Sequence, residues 1–574
     1  MGLKLARWIL RGLVLTCISG TLFGAPKLRL DSAALGPFSI PAGQNGGVVS
    51  ASSWNAGDGN LNLAVTASVN WLAPALGTAG PCAQGTCTPI NITLQTAGLA
   101  KGIYTGTVLV ADPNALDAPQ TITVTVQMGG GVPDRVDFFV APNGSRDEIK
   151  FKTSSRLTTS VTTNNGGNWL SVGIDGVGTF DFVWPYKMTA RHIGGLPEGA
   201  YTGSVNVTNS SFAPDIKNVP VSLRVTSQPI AQPSAEEVLL RAAEGMAQRT
   251  AIVDFSNRGL GTLDVTGVQA ATVNGGDWLS ASLLTVTNFG RVTITANTAA
   301  LPVGQYEGTV TVQSNAVNGP HVVRVVLRVV PQTTPTIAFG GVVNNATFAG
   351  GEALAKGGIA AIFGEQFNLG DPRVVPQGDW VQQLGDLRVL VNGNPAPMHS
   401  SGWGQINFLM PYETPAGEAI VQVERNGQPG NRVTVQVADR APRMLPIGNY
   451  AIVSNPDGTY AAPARFGGAF RAARIGETVV IWAVGLGPVT PPVTSGKAAP
   501  GDPLSVVPGL EVVFNSGFGA GVRAKPFFAG LSPTWVGLYQ INVTIPGNAP
   551  RGDEVPVTLD INGVTSNRLL IAIE

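Results

Sequence analysis

Three stretches decide the fold: GLAKGIYTGTVLV (Gly98 to Val110), GLPEGAYTGSVNV (Gly195 to Val207) and ALPVGQYEGTVTV (Ala300 to Val312). Each sets a Gly turn before a Tyr and then alternates large apolar with small or polar residues, the period-two pattern of a half-buried strand. Working outward, a Trp segment precedes each one: NWL (Asn70 to Leu72), NWLSVGIDG (from Asn168) and DWLSASLLT (from Asp277). A β-branched run follows each: TITVTVQM (Thr121 to Met128), VPVSLRV (Val219 to Val225) and VVRVVLRVV (Val322 to Val330). Trp71, Trp169 and Trp278 are 98 and 109 residues apart, and Tyr104, Tyr201 and Tyr306 are 97 and 105 apart. That period is too long for a solenoid repeat and matches an independently folding β-sandwich.

Composition agrees. Of 574 residues, 73 are Gly and 42 are Pro, and only 13% are charged, against about 25% in an average soluble domain. With 44% apolar residues the chain is too hydrophobic for disorder. Equal numbers of basic and acidic residues (36 each) argue against nucleic acid as a partner. Almost nothing among the repeats reads as helix. The one ambiguous stretch, SAEEVLLRAAEGMAQ (Ser234 to Gln248), carries a helix-start signal but occupies the position of a strand.

From Thr333 onward the chain changes character. GWGQINFLMPYETPAGEAIVQVERNG (Gly402 to Gly427) and LYQINVTIPGNAPRGDEVPVTLDINGVTSN (Leu538 to Asn567) align, with Gln405, Asn407, Pro411 and Gly417 falling 135 residues before Gln540, Asn542, Pro546 and Gly552. GGIAAIFGEQF (Gly357 to Phe367) and GETVVIWAVGLGPV (Gly476 to Val489) are equivalent apolar strands upstream. The expected fold class is therefore all-β, in tandem immunoglobulin-like β-sandwich modules. The expected division is a leader at 1–25, sandwiches at 26–130, 131–228 and 229–332, and two further units at 333–439 and 440–574. The Pro-containing linkers TSQPIAQPS (Thr226 to Ser234) and VVPQTTPTI (Val329 to Ile337) favour a semi-rigid string of modules.

The pattern from the WLS segments through G-x-Y-x-G-x-V-x-V to the closing V-x-L-x-V resembles the BACON domain, a bacterial immunoglobulin-like module whose name records a proposed carbohydrate-binding role. The third repeat matches best, and the first carries an inserted Cys loop. The C-terminal half, through GGVVNNATF (Gly340 to Phe348), LVNGNPAPM (Leu390 to Met398), VVIWAVGLGPVTPPVTSGKAAP (Val479 to Pro500) and FFAGLSPTWVGLYQINVTIP (Phe527 to Pro546), resembles the uncharacterised C-terminal domain of Solibacter-type acidobacterial exported proteins. That resemblance implies two TIG-like units and no particular chemistry.

The first residues, MGLKLARWILRGLVLTCISGTLFGA, read as a secretory signal peptide: Lys4, Arg7 and Arg11 precede a short apolar run from Leu13 to Phe23. The expected location is secreted, cell-surface or periplasmic, with no membrane span after cleavage. Loss of the leader leaves Cys82 and Cys87, five residues apart, for which a small-loop disulfide is favoured over a half metal site.

No catalytic constellation emerges, and no cofactor is expected. His192, His321 and His399 belong to no metal motif. The carboxylate pairs Asp134/Asp137, Glu236/Glu237 and Asp553/Glu554 sit at turns or edges, so a hydrolase with an inter-module site stays a minor alternative. Asn55, Asp58 and Asn60 fit either a calcium loop or a tight turn. The repeated Trp and Tyr fit core packing, whereas non-repeated aromatics near Gly, Asn or Pro are the candidate glycan contacts: Trp54, Trp184, Tyr186, Trp380, Trp403 and Trp535. The sequence thus points to a non-enzymatic exported protein for adhesion or display. Its candidate partners are an extracellular polysaccharide or a surface protein, and the alternative is a dedicated polysaccharide binder acting through the BACON-like modules.

Overall fold

The computed structural model describes residues 25–115, 117–142, 144, 146–175, 184–191, 196–466, 468–514 and 521–574. The chain is all-β: among the described residues the strands form ten sheets, and five apolar clusters each draw residues from a facing pair of them. In every pair an early strand of the unit lies parallel to the last strand, as at Ala34–Ile40 beside Gln120–Met128, Val136–Val140 beside Asn218–Val225 and Glu237–Ala243 beside His321–Val330. The C-terminal units repeat this at Leu354–Ala355 beside Gln428–Ala438 and at Tyr450 beside Leu570. All other pairings within the first three sandwiches are antiparallel. This is the tandem immunoglobulin-like arrangement.

The repeat residues explain themselves in the core. Trp71, Trp169 and Trp278 are all at most 3% exposed. Trp169 and Trp278 donate their indole N–H to the carbonyls of Asn165 and Asn274 four residues earlier. The loops Asn165-Gly166-Gly167 and Asn274-Gly275-Gly276 make this close approach feasible. Gly166 and Gly275 have φ of 77° and 81°, and a Cβ there would lie 2.5 and 2.3 Å from the rings of Tyr201 and Tyr306. Those tyrosines close a corner of their own, donating to the carbonyls of Pro197 and Pro302 at 2.8 and 2.7 Å.

The ambiguous stretch is strand. Glu237–Ala243 buries Val238, Leu240 and Ala242 and exposes Leu239. A turn at Gly245, φ 81°, then leads into Gln248–Asn257. Period two overrides the local helix-start signal because a sheet partner, His321–Val330, supplies the backbone bonds. In the C-terminal units the hairpin pairs Asn392-Gly393, Asn426-Gly427 and Asn562-Gly563 all have positive φ, as a two-residue turn between antiparallel strands requires.

The modules do not form an extended string. The first sandwich touches the second, third and fourth. Lys101 bonds Asp134 at 2.7 Å, Arg324 bonds Tyr104 at 3.0 Å, and Asn431 donates to the Pro119 carbonyl at 2.9 Å. The Val329 to Ile337 linker is fixed rather than semi-rigid. Gln366 donates to the Pro331 carbonyl and accepts from Thr333 N–H, while the buried Arg425 donates to the carbonyls of Gln366 and Thr333. A buried guanidinium left without such acceptors would be costly, so each bond reinforces the others.

Candidate functional site

Two of the aromatics singled out in the sequence, Trp380 and Trp535, come from different C-terminal units and line one cavity of about 230 Å³. The other walls include Gln377, Gly378, His399 and Asn407 of the fourth unit, and Thr534, Val536 and Leu538 of the fifth. Trp535 is 48% exposed and Trp380 is half-buried. The Trp380 and His399 rings lie 5.0 Å apart at 36°.

The segment around Gly496 to Ala499 anchors the backbone at both tryptophans. Trp380 N–H donates to the Gly496 carbonyl at 2.7 Å, and Ala499 N–H donates to the Trp535 carbonyl at 2.9 Å. Asp379 accepts from Lys497 Nζ at 2.7 Å and from Ala498 N–H at 2.9 Å; the Lys497 ammonium holds its carboxyl below the usual carboxylate range. Thr534 sits at φ 69°, an outlier for a β-branched residue. Gln377 Nε2 bonds its hydroxyl at 3.2 Å, and its own N–H reaches the Ala499 carbonyl at 2.9 Å. Strain of this kind persists only where surrounding contacts enforce it, and it clusters at ligand contacts. Burial holds the His399 imidazole below its ordinary pKa and so favours the neutral ring.

The arrangement offers two aromatic faces, a neutral imidazole and the side-chain amides of Gln377 and Asn407. This is a concave site with a few convergent polar groups. Indole faces pack against apolar C–H surfaces, and amides both donate and accept.

The remaining candidates lie elsewhere. Trp54 is half-buried on Val48–Asn55, opposite Arg29 and Cys87. Trp184 is half-buried with Arg156 5.9 Å from its ring centre. Tyr186 is 3% exposed, stacks on Phe151 and accepts from Leu157 N–H. Trp403 is 8% exposed, bonds Glu365 at 2.6 Å and packs on Ala243 and Val330 between the third and fourth units. Tyr186 and Trp403 therefore present no open face, because each fills a hydrophobic seam.

Cys82 and Cys87 form a disulfide. The Asn55 loop is a turn: its carbonyl accepts from Lys27 and Gly57 N–H while its amide donates to Gly59. Asn257 repeats that arrangement in the third unit with Ile230, Gly259 and Gly261. His321 packs edge-on against Phe255, and His192 lies outside the described residues. Among the described residues no group of three or more His, Cys, Asp or Glu side chains is placed to hold a metal, and no helix is long and apolar enough to cross a membrane. The expected leader also lies outside the described residues.

His399 belongs to no motif, and no local pattern marks Gln377 or Thr534. The visible signal was the Ser-rich loop APMHSSGWG running into the repeated Gln405-x-Asn407 pair.

No family profile and no curated protein matches the chain. Among solved structures it is similar to surface layer protein SbsC, domains 4–9, at 14% identity over 96% of this chain and 98% of that one, with a TM-score of 0.17. It is also similar to the human Desmocollin-1 ectodomain, at 11% identity over 72% and 79% of the two chains, TM-score 0.15. A protein of unknown function from Porphyromonas gingivalis W83 matches at 14% identity over 34% of this chain and 98% of its own, TM-score 0.15. Likenesses this weak say nothing about ligand or task.

Proposed function

We propose that this is an exported, non-catalytic modular protein for adhesion or display, and that it holds a saccharide in the cleft between its two C-terminal units. The observation that carries this reading is the convergence of Trp380 and Trp535 from separate units onto one cavity, with His399 and Asn407 beside them. A pyranose ring has apolar C–H faces and a hydroxyl rim, which suits flat indoles bordered by amides. The half-exposed indole of Trp535 supplies apolar surface that burial under a ligand would remove from water.

The test is co-sedimentation of the full chain with insoluble plant, fungal and bacterial polysaccharides, using two variant pairs. Trp380→Ala/Trp535→Ala is expected to abolish retention, and Trp54→Ala/Trp184→Ala to leave it intact. Loss only in the second pair would move the binding surface to the N-terminal sandwiches. No retention on any polymer would remove the saccharide reading.

A further inference from the structure

Two rows of amides lead away from the cleft. In the fifth unit, Leu538–Thr544 starts at Leu538 in the cavity wall. Tyr539, Ile541 and Val543 face the core, while Leu538, Gln540, Asn542 and Thr544 face out. Trp482 pairs across from Gln540 on one side, and Phe528 pairs across from Asn542 on the other. Trp482 is itself held by an indole bond to Ser454 Oγ at 3.1 Å.

The fourth unit carries the counterpart. On Gln405–Leu409, Asn407 lines the cavity and Gln405 continues outward, with Phe363 paired across from it. The Phe363 ring meets Phe348 edge-on at 6.0 Å, and Phe348 is 48% exposed at φ 54°. Within both rows the Gln amide donates to its Asn neighbour at 2.9 Å. The bond orders the pair and leaves an Asn N–H₂ in each row available to a ligand hydroxyl. The row Gln405, Asn407, Leu538, Gln540, Asn542 and Thr544 carries no charge.

We infer that the Trp380–Trp535 cleft is the middle of a longer track, with an aromatic beside each amide pair, that takes an extended chain of neutral sugars rather than a single terminal residue. This rests on the saccharide reading of the cleft. The Leu538–Thr544 arm alone spans about 20 Å at ~3.4 Å per residue, which is room for several sugars. The absence of a cationic side chain from the row argues against a uronic acid polymer, whose carboxylates would lose hydration without a partner.

The test is calorimetric titration of the full chain with oligosaccharides from disaccharide to hexasaccharide. Parallel ladders of β-glucan, α-glucan, mannan, galactan and polygalacturonate serve as probes. The expected result is an affinity that rises about tenfold or more with length for one neutral ladder and no binding of the uronic ladder. Trp482→Ala should remove most of that gain, and Gln540→Ala/Asn542→Ala, two half-exposed sites, guards against a folding defect. Length-independent binding lost in Trp535→Ala would overturn the track and keep the cleft. Preference for the uronic ladder would overturn the neutral ligand. No binding on any ladder would overturn both.

Discussion

The Tyr104 hydroxyl accepts a hydrogen bond from Arg324 Nη2 at 3.0 Å across 220 residues of sequence, and the guanidinium carbon lies 5.3 Å from the Tyr104 ring centre. The equivalent hydroxyls of Tyr201 and Tyr306 stay at home, bonding Pro197 and Pro302. The first repeat has Ala100 where the others have proline, and its tyrosine holds the third sandwich instead of its own corner. Arg324 is balanced by Glu237 at 2.6 Å and Glu307 at 3.1 Å. Burial, with Glu307 adding to it, raises the Tyr104 pKa, so the hydroxyl stays neutral through the physiological range.

Tyr104→Phe is therefore expected to loosen the contact between the first and third units by about 1.5–3 kcal/mol, the range for a bond to a charged donor. Tyr201→Phe and Tyr306→Phe should weaken only their own sandwiches. Hydrogen exchange of the Glu237–Ala243 and Gly102–Ala111 strands reads the difference. Equal protection in Tyr104→Phe and the parent would contradict the contact.

Acid should open the seam between the first and second units. Lys101 and Lys217 both bond Asp134 and hold its carboxyl down to about 2, from 3.8. A depressed carboxylate pKa contributes stability above the unfolded value, and that contribution fades as pH falls from about 4 toward 2. Limited pepsin digestion across this window is expected to expose the 129–135 junction in the parent. Asp134→Asn should show the same susceptibility already at pH 5, with no further acid step.

Gly275→Ala and Gly166→Ala should each destabilise their sandwich by about 2–4 kcal/mol, combining a left-handed backbone with overpacking against the corner tyrosine. Thermal melting with a core-reporting Trp signal measures it. A shift near zero would mean the Tyr306 and Tyr201 rings swing away at little cost.

The Cys82–Cys87 bridge closes a very short loop, for which the chain-entropy estimate is about 2 kcal/mol. Thiol titration of the purified protein under denaturing conditions should find no free thiol at Cys82 or Cys87 until a reductant is added. Cys82→Ser/Cys87→Ser should leave the cleft's ligand binding unchanged, since the loop lies in the first unit.

The modules were legible because a sandwich strand writes its burial directly into the sequence. Tyr104, Val108 and Val110 are buried and Thr105 and Thr107 are less so, as their alternation says. The Asn-Gly pairs at 392, 426 and 562 are a local signal of a different kind, since Asn and Gly tolerate the positive φ found there. The packing of modules was not legible. It depends on long-range bonds such as Arg324 to Tyr104 and Asn431 to Pro119, which leave no periodic trace. The cleft was half legible. Trp380 and Trp535 stood out as unrepeated aromatics, but so did Tyr186 and Trp403, and only tertiary packing separates an indole bonded to Glu365 from one left half-exposed at the cleft. Gln377 and His399 become neighbours of Trp535 through contact between units, which no local pattern encodes.

The cleft makes one claim open to direct measurement, the solvent access of Trp535 and Trp380 with and without bound saccharide. Hydroxyl-radical footprinting of the full chain, with the best-retained polysaccharide present, is expected to protect Trp535 strongly and Trp380 to a lesser degree while leaving Trp54 and Trp184 unchanged. Protection at Trp54 or Trp184 with Trp535 still oxidised would contradict the account.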